Sequence, residues 1–405
     1  MTRRPFGLRP TVLVLAGTHF LVDGFSNIYA PLLPLLIPHL NLSLAAAGTL
    51  QMLFQLANSV TQLGFGQLAD RWRPRLLLVV GPIVTLTGLT LIGLASGFWT
   101  LALILMMGGL GAAAFHPPAA ALVHRSGGEK KGLAMSVHIT GGSLGFALGP
   151  LVFAPFAGRY GLSATPLLMI PALLILVPLV LNIPRIERLQ ERHEVGGFRE
   201  LRPYAKPLTL LYLIVVLRTL AATSFSTFMP VMLTRQGLSL GQAGAAAGIY
   251  LFTSSAGGFL GGTLADRWGS RKVIMWSLAA SVPFLATAPL LQGWAFVVVV
   301  SLGGLLMQST LPVNVTFAQT IAPISAATVS SLMLGFAFGT AGMNIPFVGM
   351  LADRVGIEHT LVAMAFIPLV AAALAWPLPD GKFAHTAARA SDVATVETTG
   401  TDVAD

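Results

Sequence analysis

The sequence predicts an all-α membrane protein with about twelve transmembrane helices in two pseudo-symmetric six-helix bundles. Three observations predict this fold class. The chain of 405 residues is 55% hydrophobic and only 10% charged, with a mean hydropathy of +0.78, which leaves too little polar surface to cover a water-soluble globule. Long apolar runs follow one another along the chain, and its two halves repeat each other.

Apolar runs of about 17 to 25 residues predict each transmembrane span in turn. In the first half these runs cover residues 11–37, 44–69, 76–96, 99–123, 132–155 and 163–183. In the second half they cover residues 208–233, 239–264, 273–292, 294–319, 324–350 and 360–379.

The runs divide the chain into an N-terminal half (residues 1–183), a linker (184–207), a C-terminal half (208–379) and a tail (380–405). The linker mixes acidic and basic residues, which is typical of a solvated connector, although a regulatory docking site is the alternative. The tail has no apolar run, so we expect it to be disordered.

The net charge of +9 is distributed unevenly along the chain. Turns and termini on one side of the predicted membrane hold 20 Lys and Arg residues, those on the other side hold 3, and one lies within a span. The positive-inside rule therefore places both termini in the cytoplasm. Because the basic charge sets topology, no nucleic-acid partner is expected.

The chain has no cysteine, and we expect no cofactor, no metal site and a monomer in the lipid bilayer.

The internal repeat is visible in the letters themselves. Leu68–Trp72 recurs without change as Leu264–Trp268, at an offset of 196 residues. A second, finer echo relates Gly262–Arg267 to Gly349–Arg354 within the C-terminal half. The predicted topology puts these two turns on opposite sides of the membrane, which is typical of an inverted three-span repeat.

The repeated turn predicts a conformational latch. Its glycines permit close helix approach, its aspartates can accept hydrogen bonds from a neighbouring helix N-terminus, and its arginines can pair with carboxylates or lipid headgroups. The alternative is a basic turn that only sets topology. The candidate latch residues are Gly66, Asp70, Arg71, Gly262, Asp266, Arg267 and Arg271.

Only two formally charged side chains lie inside the predicted spans, Asp23 in the first and Arg218 in the seventh. A charge in the middle of a membrane costs roughly 2.5 to 3.5 kcal/mol on insertion scales, so each should face a polar interior. Both lie about 15 to 18 Å from the start of their span, near the midplane. They are 195 residues apart, the offset that also relates Gly108-Gly109 to Gly303-Gly304 and Pro117 to Pro312, and hence at equivalent positions of the two halves. We expect them to face each other across a central cavity, with a static salt bridge as the alternative.

Histidines and amides extend this predicted site. His19 lies four residues before Asp23 on one helix face and could relay a proton. His116 precedes Pro117 and Pro118, which should bend or open the fourth span, so His116 either binds substrate or stabilises the kink. His138, near the start of the fifth span, receives no assigned role. The other candidate substrate-binding residues are Asn27, Gln51, Gln55, Asn58, Gln308, Asn314 and Asn344, for each of which plain interhelical hydrogen bonding is the alternative.

The repeated turn resembles the signature of the major facilitator superfamily, which stands complete at Gly262–Lys272, whereas Arg73 replaces its second glycine in the first half. The Phe115-His116-Pro117 core, together with His19 and Asp23, resembles the fosmidomycin-resistance branch of that superfamily. The resemblance implies the major facilitator fold and proton-driven drug efflux. Gly145 and the following Gly149-Pro150 match part of an antiporter signature.

These features predict a secondary active transporter that exports a small organic compound or drug in exchange for protons, by alternating access, in a bacterial inner membrane. In this hypothesis Asp23 alternates between a protonated form and a pair with Arg218, and Arg218 and His116 suit an anionic or polar substrate. A proton-coupled importer of a small organic anion is the first alternative, and a membrane receptor or scaffold that does not translocate is the second. A membrane enzyme is least favoured, because the sequence shows no nucleophile-base or metal cluster.

Overall fold

A computed structural model describes residues 8–71, 73–184, 198–323 and 326–379, and it is helical along nearly all of that length. Ten helical segments in these ranges are long and apolar enough to cross a membrane. The remaining two predicted spans coincide with α3 (Leu44–Ser59) followed by α4 (Gln62–Arg71), and with α10 (Leu240–Trp268). The predicted class, an all-α membrane protein, is confirmed.

The other helices of the N-terminal half are α1 (Pro10–Ser26), α2 (Tyr29–His39), α5 (Pro74–Thr90), α6 (Phe98–Ser126), α7 (Lys131–Tyr160) and α8 (Met169–Leu181). The C-terminal half begins with α9 (Ala205–Arg235), three residues earlier than predicted, and α10. It continues with α11 (Ser270–Thr287), α12 (Gly293–Gln308), α13 (Thr310–Ile321), α14 (Ala326–Ser331), α15 (Ala337–Gly342), α16 (Ile345–Val355), α17 (Ile357–Ala365) and α18 (Ile367–Ala375). Residues 185–197 of the predicted linker and the whole predicted tail lie outside the described residues.

Several predicted spans are not single helices. The first span breaks between α1 and α2, where Pro31 has no N–H to donate to the carbonyl of Asn27. The tenth span breaks at Ser309, just before Pro312 in the first turn of α13. The fourth span was predicted to bend or open at Pro117 and Pro118. It does not open, because α6 continues through both prolines. A proline within a membrane helix leaves backbone carbonyl groups without their usual N–H donor, and neighbouring helices can satisfy these groups.

Exposed tryptophans mark both ends of the bundle. Each described tryptophan has 62% to 80% of its surface exposed. One end carries Trp99 and Trp294, in the first turns of α6 and α12, and the other carries Trp268, Trp276 and Trp376. Tryptophan is enriched where a membrane protein crosses the lipid-water interface. The two belts therefore agree with a bundle embedded in a bilayer.

The two ends of the bundle differ in how the halves meet. We call the end where α1 and α9 begin the linker end, and the opposite end the far end. At the far end α3 packs closely on α16, and a Cβ placed on Gly48 would lie 2.6 Å from the carbonyl oxygen of Ile345. There α10 packs equally closely on α7, where a Cβ on Gly244 would lie 2.6 Å from the carbonyl oxygen of Pro150. The halves are thus joined at the far end.

Candidate functional site

A central cavity of about 350 Å³ lies between the two halves. Eight of the predicted site residues line it: Asp23, Asn27, Gln51, Gln55, Asn58, His116, Arg218 and Gln308. Further polar side chains that the sequence analysis did not select complete the lining: Ser26, Tyr29, Ser59, Gln62, Thr219, Thr223, Ser226, Thr227, Tyr250 and Ser254. Both halves therefore contribute polar groups to one internal space.

Asp23 is held between two histidines. Its Oδ2 lies 3.1 Å from Nε2 of His19, one turn earlier on α1, and its Oδ1 lies 3.5 Å from Nε2 of His116 on α6. The carboxylate and His116 line the cavity, whereas His19 is not among the lining residues. The structure thus places His19 behind Asp23, on the side away from the cavity.

The surroundings of His19 fix the protonation of the pair that it forms with Asp23. Its Nδ1 lies 2.9 Å from the backbone carbonyl oxygen of His138, while its Nε2 faces the carboxylate of Asp23. A neutral imidazole has only one N–H, so beside an ionised Asp23 one of these two contacts would place a lone pair against an oxygen. Both contacts are satisfied when the pair holds one further proton, either as an imidazolium beside a carboxylate or as an imidazole that accepts from a protonated carboxyl. The pair of His19 and Asp23 therefore stores one proton beside the cavity.

Two neighbours on α7 shape this pair, and the sequence analysis left one of them without a role. The ring of His138 lies 4.3 Å from the ring of His19, centroid to centroid. Gly142, one turn later, has no side chain where a Cβ would lie 2.7 Å from Oδ2 of Asp23 and 2.5 Å from the His19 ring. No sequence motif predicts these contacts, because they depend on how α7 rotates against α1.

Arg218 is almost completely buried, with 1% of its surface exposed. Its Nη1 donates a hydrogen bond to Oε1 of Gln308, and its Nη2 donates to Oγ1 of Thr219 at 3.0 Å. The guanidinium lies 5.6 Å from the centre of the Phe338 ring. All these partners are uncharged and belong to the C-terminal half.

Asp23 and Arg218 line the same cavity but do not form an ion pair in this structure. The described side chains therefore contain no static salt bridge between these two residues, which was the alternative drawn from the sequence. Each charged group instead has partners within its own half. Both groups therefore border the cavity without an ion pair between them.

Two predicted binding residues lie away from the cavity. Asn314 on α13 is fully buried, and neither atom of its amide has a hydrogen-bond partner. Asn344, at the break before α16, donates from Nδ2 to the carbonyl oxygen of Thr340 at 2.8 Å. Neither residue is part of the cavity lining. A polar side chain at a helix break is often used by the adjacent backbone, and the sequence pattern does not distinguish this use from substrate binding.

The buried polar atoms of the cavity lining that have no hydrogen-bond partner include Ser26 Oγ, Asn58 Oδ1 and Arg218 Nε. A buried polar atom without a partner is unfavourable, and such atoms are rare in proteins. Here they come from both halves and border one space. This arrangement can satisfy a polar molecule that bridges the halves.

Among the described residues of the predicted latch at the linker end, the two glycines do not approach the other half. Gly66 has only Pro117 of its own half near it, and Gly262 faces open space. Asp266 and Arg267 are exposed, while the Arg271 guanidinium lies 5.8 Å from the centre of the Trp376 ring within the C-terminal half. The side chains of Asp70 and Arg71 lie outside the described residues.

Hydrogen bonding of the kind predicted for the latch occurs at the far end. Asp353 stands at the end of α16, in the finer echo of the repeated turn. Its two carboxylate oxygens accept hydrogen bonds from the backbone N–H groups of Leu44 and Ala45, both at 2.9 Å. These are the first two residues of α3, so a carboxylate of one half caps a helix N-terminus of the other.

Comparisons with known proteins agree with this architecture. A family model described as the Major Facilitator Superfamily matches residues 15–239 and again residues 211–396. The chain is 29% identical over 389 residues to a fosmidomycin resistance protein of Escherichia coli, and the match covers 94% of each chain. It is also 29% identical over 386 residues to an MFS-type transporter of Bacillus subtilis, YfnC, with 92% of this chain and 93% of that one covered.

Among solved structures, the fold is similar to a bacterial homolog of the human lysosomal transporter Spinster, in an inward-facing and unoccupied conformation. The TM-score is 0.74 at 18% identity, with 90% of this chain and 95% of that chain covered. The resemblance drawn from the repeated turn and from the Phe115-His116-Pro117 core is confirmed. The chain belongs to the Major Facilitator Superfamily, and it is a multi-pass secondary transporter rather than an enzyme.

Proposed function

We propose that this transporter exports a small polar organic compound in exchange for protons, by alternating access. One observation carries the proposal: an aspartate that shares a proton with a histidine lines the same cavity as a buried, permanently charged arginine of the other half. Asp23 supplies the group that changes charge. Arg218 supplies a fixed positive charge that attracts an anionic or polar substrate.

The orientation follows from the charge asymmetry along the chain. The linker end carries most of the Lys and Arg residues of the turns, so we place it and both termini in the cytoplasm of a bacterial cell, with the far end outside the inner membrane. The halves are joined at the far end by Asp353 and by the packing of α3 on α16. With this orientation the structure is the inward-facing state.

Coupling then follows because the proton and the substrate bind at different groups of one cavity. A proton that arrives from outside binds the aspartate and histidine pair, and its release inside leaves the negative charge of the pair uncompensated. Substrate bound near Arg218 favours one arrangement of the halves, and the protonated form favours the other, so each must be carried in the opposite direction. The relative named as a fosmidomycin resistance protein supports a drug-like substrate. We further propose that the chain works as a monomer in the bilayer and has no nucleic-acid partner.

The test is flux in liposomes with an imposed pH gradient. Candidate substrates come from a growth screen of cells that express or lack the protein. Substrate movement against the proton flow supports the proposal. Movement in the same direction as the protons establishes an importer or symporter, and saturable binding without flux establishes a receptor.

Asp23→Asn keeps the size of the side chain but removes the charge that can be neutralised. We expect substrate binding to persist and the response of flux to the pH gradient to be lost. The matched control is Glu129→Gln, which removes an exposed carboxylate between α6 and α7 and should leave the response unchanged. Normal gradient-driven flux in Asp23→Asn would remove this residue from the coupling mechanism.

A further inference from the structure

The group around Asp23 also has the composition of a metal-binding site. His19, Asp23 and His116 each have one possible ligand atom, and these three atoms lie within 4.8 Å of one another. We call these three residues the triad. Two imidazole nitrogens and one carboxylate oxygen form a ligand set that suits zinc and similar divalent ions, whereas magnesium and calcium prefer oxygen ligands.

The spacing of the triad fits a tetrahedral ion. Zinc binds nitrogen and oxygen at about 2.0 to 2.2 Å, so two of its ligand atoms in a tetrahedron lie about 3.3 to 3.5 Å apart. In the triad, Oδ2 of Asp23 lies 3.1 Å from Nε2 of His19, and the other carboxylate oxygen, Oδ1, lies 3.5 Å from Nε2 of His116. Each imidazole nitrogen therefore lies about one such edge from an oxygen of the shared carboxylate.

The surroundings orient the ligands as an ion would require. A metal-binding histidine commonly donates its other ring N–H to a carbonyl or carboxylate, which turns the free nitrogen toward the metal. Nδ1 of His19 has this contact, at 2.9 Å from the carbonyl oxygen of His138. Gly142 leaves room beside both His19 and Asp23.

The triad is also open on one side. Asp23 and His116 line the central cavity, with 23% and 20% of their side-chain surfaces exposed, and His19 closes the site from behind. Three protein ligands with a fourth position open to solvent is the arrangement of zinc sites that bind water or a further ligand. The cavity provides the path by which an ion enters.

We propose that His19, Asp23 and His116 bind one divalent ion of the zinc class, which replaces the proton held between His19 and Asp23. When the ion binds, Nδ1–H of His19 still donates to the carbonyl oxygen of His138, and Nε2 coordinates the ion. The proton held between Nε2 and Asp23 is therefore released, one for each ion bound. The affinity therefore falls as the pH is lowered.

Few other ionisable groups bear on this exchange. The carboxylate is faced by His19 on its own helix, by His116 on α6 and by His138 on α7, with Arg218 across the cavity. The helices α5 and α8 also pack against α1, and their one ionisable residue, Arg75, donates to the carbonyl oxygen of Ile183 at the linker end.

The first test measures binding of the metal alone. The full chain, purified without a polyhistidine tag and treated with a chelator, is titrated with Zn²⁺ by calorimetry and with Co²⁺ by visible absorption. We expect one ion per chain, a tetrahedral Co²⁺ spectrum and release of a proton. Each of His19→Gln, Asp23→Asn and His116→Gln should weaken binding at least about tenfold. The control His124→Gln, which changes an exposed histidine at the linker end, should not.

Two results would overturn the proposal. One is the absence of a saturable Co²⁺ site in the unmodified protein, which does not depend on whether any variant folds. The other is binding that survives all three substitutions in the triad. Size-exclusion profiles and thermal unfolding of each variant show whether lost binding reflects lost structure.

A second test asks whether the ion blocks coupling, and this part rests on the proposed function. Proton-driven flux is measured in liposomes with a chelator present and then with Zn²⁺ added. We expect Zn²⁺ to slow the flux of the unmodified protein. Flux in chelator without any binding of Zn²⁺ would support the proposed function and contradict the metal site. Binding of Zn²⁺ without flux would support the metal site and contradict the proposed function.

Discussion

The two charged residues of the cavity have partners of different kinds. Asp23 contacts two imidazoles, which titrate in the physiological range in water and can exchange protons. Arg218 contacts an amide, a hydroxyl and an aromatic ring, none of which exchanges a proton at neutral pH. The N-terminal half therefore carries the group that changes charge, and the C-terminal half carries a group whose charge stays constant.

Substitution of Arg218 by Gln tests the fixed charge. A hydrogen bond to a charged group contributes about 1.5 to 3 kcal/mol, so the affinity for an anionic substrate should fall about 10- to 100-fold. A cationic or neutral substrate should lose much less. The measurement is binding of a matched set of anionic and cationic substrates, with Arg159→Gln, an exposed arginine at the end of α7, as the control. Equal losses for both kinds of substrate would contradict a charge-selective role.

The sequence identified these two residues because a charge inside an apolar run is conspicuous and because both stand at equivalent positions of the repeat. It did not identify their partners. Contacts of Asp23 with His116 and of His19 with His138 depend on how α6 and α7 rotate against α1, and no local pattern encodes that rotation. Asn314 was assigned to the binding site without knowledge of the same rotations, because a buried amide can face either the cavity or a neighbouring helix.

At the scale of elements, the packing of α1 against α7 positions the proton-storing pair. Backbone approaches backbone here: a Cβ on Gly24 would lie 3.3 Å from the carbonyl oxygen of Gly145. The carbonyl of His138 on α7 also accepts a hydrogen bond from His19. The geometry of the pair therefore depends on a residue without a side chain at position 142.

Gly142→Ala should disrupt that geometry while leaving the fold in place. The added methyl group would lie 2.7 Å from Oδ2 of Asp23, so the carboxylate or the His19 ring must move. We expect the response of flux to a pH gradient to weaken strongly, with expression and thermal stability less affected. The control is Gly132→Ala on the same helix, where a Cβ meets nothing within 4 Å. Unchanged coupling in Gly142→Ala would show that the pair tolerates displacement.

The contact of α16 with α3 is the second element that carries a mechanism. Asp353→Asn removes the charge that caps α3, while Ser43 still accepts a hydrogen bond from the N–H of Ala46. A carboxylate at an exposed helix N-terminus contributes about 1 kcal/mol, so the population with an open far end should rise roughly fivefold. Because the chain has no cysteine, pairs of spin labels can be introduced directly across the far end to measure distances. The same distances in Arg354→Gln, at a neighbouring exposed residue, provide the control.

For the whole molecule, the repeat explains the topology but not the differences between its halves. The letters of the repeated turn predicted two similar bundles and an inverted echo at Asp353, and the helices follow that plan. The breaks at Asn27 and Ser309 were not predicted, because a sequence does not distinguish a proline in the first turn of a new helix from a proline inside a continuous helix. Which end of the molecule is closed also depends on a balance between two states that one sequence encodes together.

The far end itself is asymmetric, and this asymmetry leads to a last prediction. By the repeat, the counterpart of Asp353 is Gly158 on α7, and the counterpart of the α3 N-terminus is that of α10. Gly158 lies beside the start of α10, where a Cβ would be 3.5 Å from Cβ of Leu240 and therefore fits. Ser239 accepts from the third N–H of α10, as Ser43 does from that of α3. No carboxylate caps the first two N–H groups of α10 in the described residues, unlike those of α3.

Gly158→Asp should supply the missing carboxylate and close the far end more firmly. The new group would reach the N–H groups of Leu240 and Gly241 as Asp353 reaches those of Leu44 and Ala45, and one such cap contributes about 1 kcal/mol. Spin-label distances should shift toward the closed far end, and turnover should slow because the far end must open in every cycle. Gly158→Asn has nearly the same shape without the charge and is the matched control. If both variants behave alike, charge at this helix end does not set the balance between the two states, and the capping by Asp353 is a structural contact only.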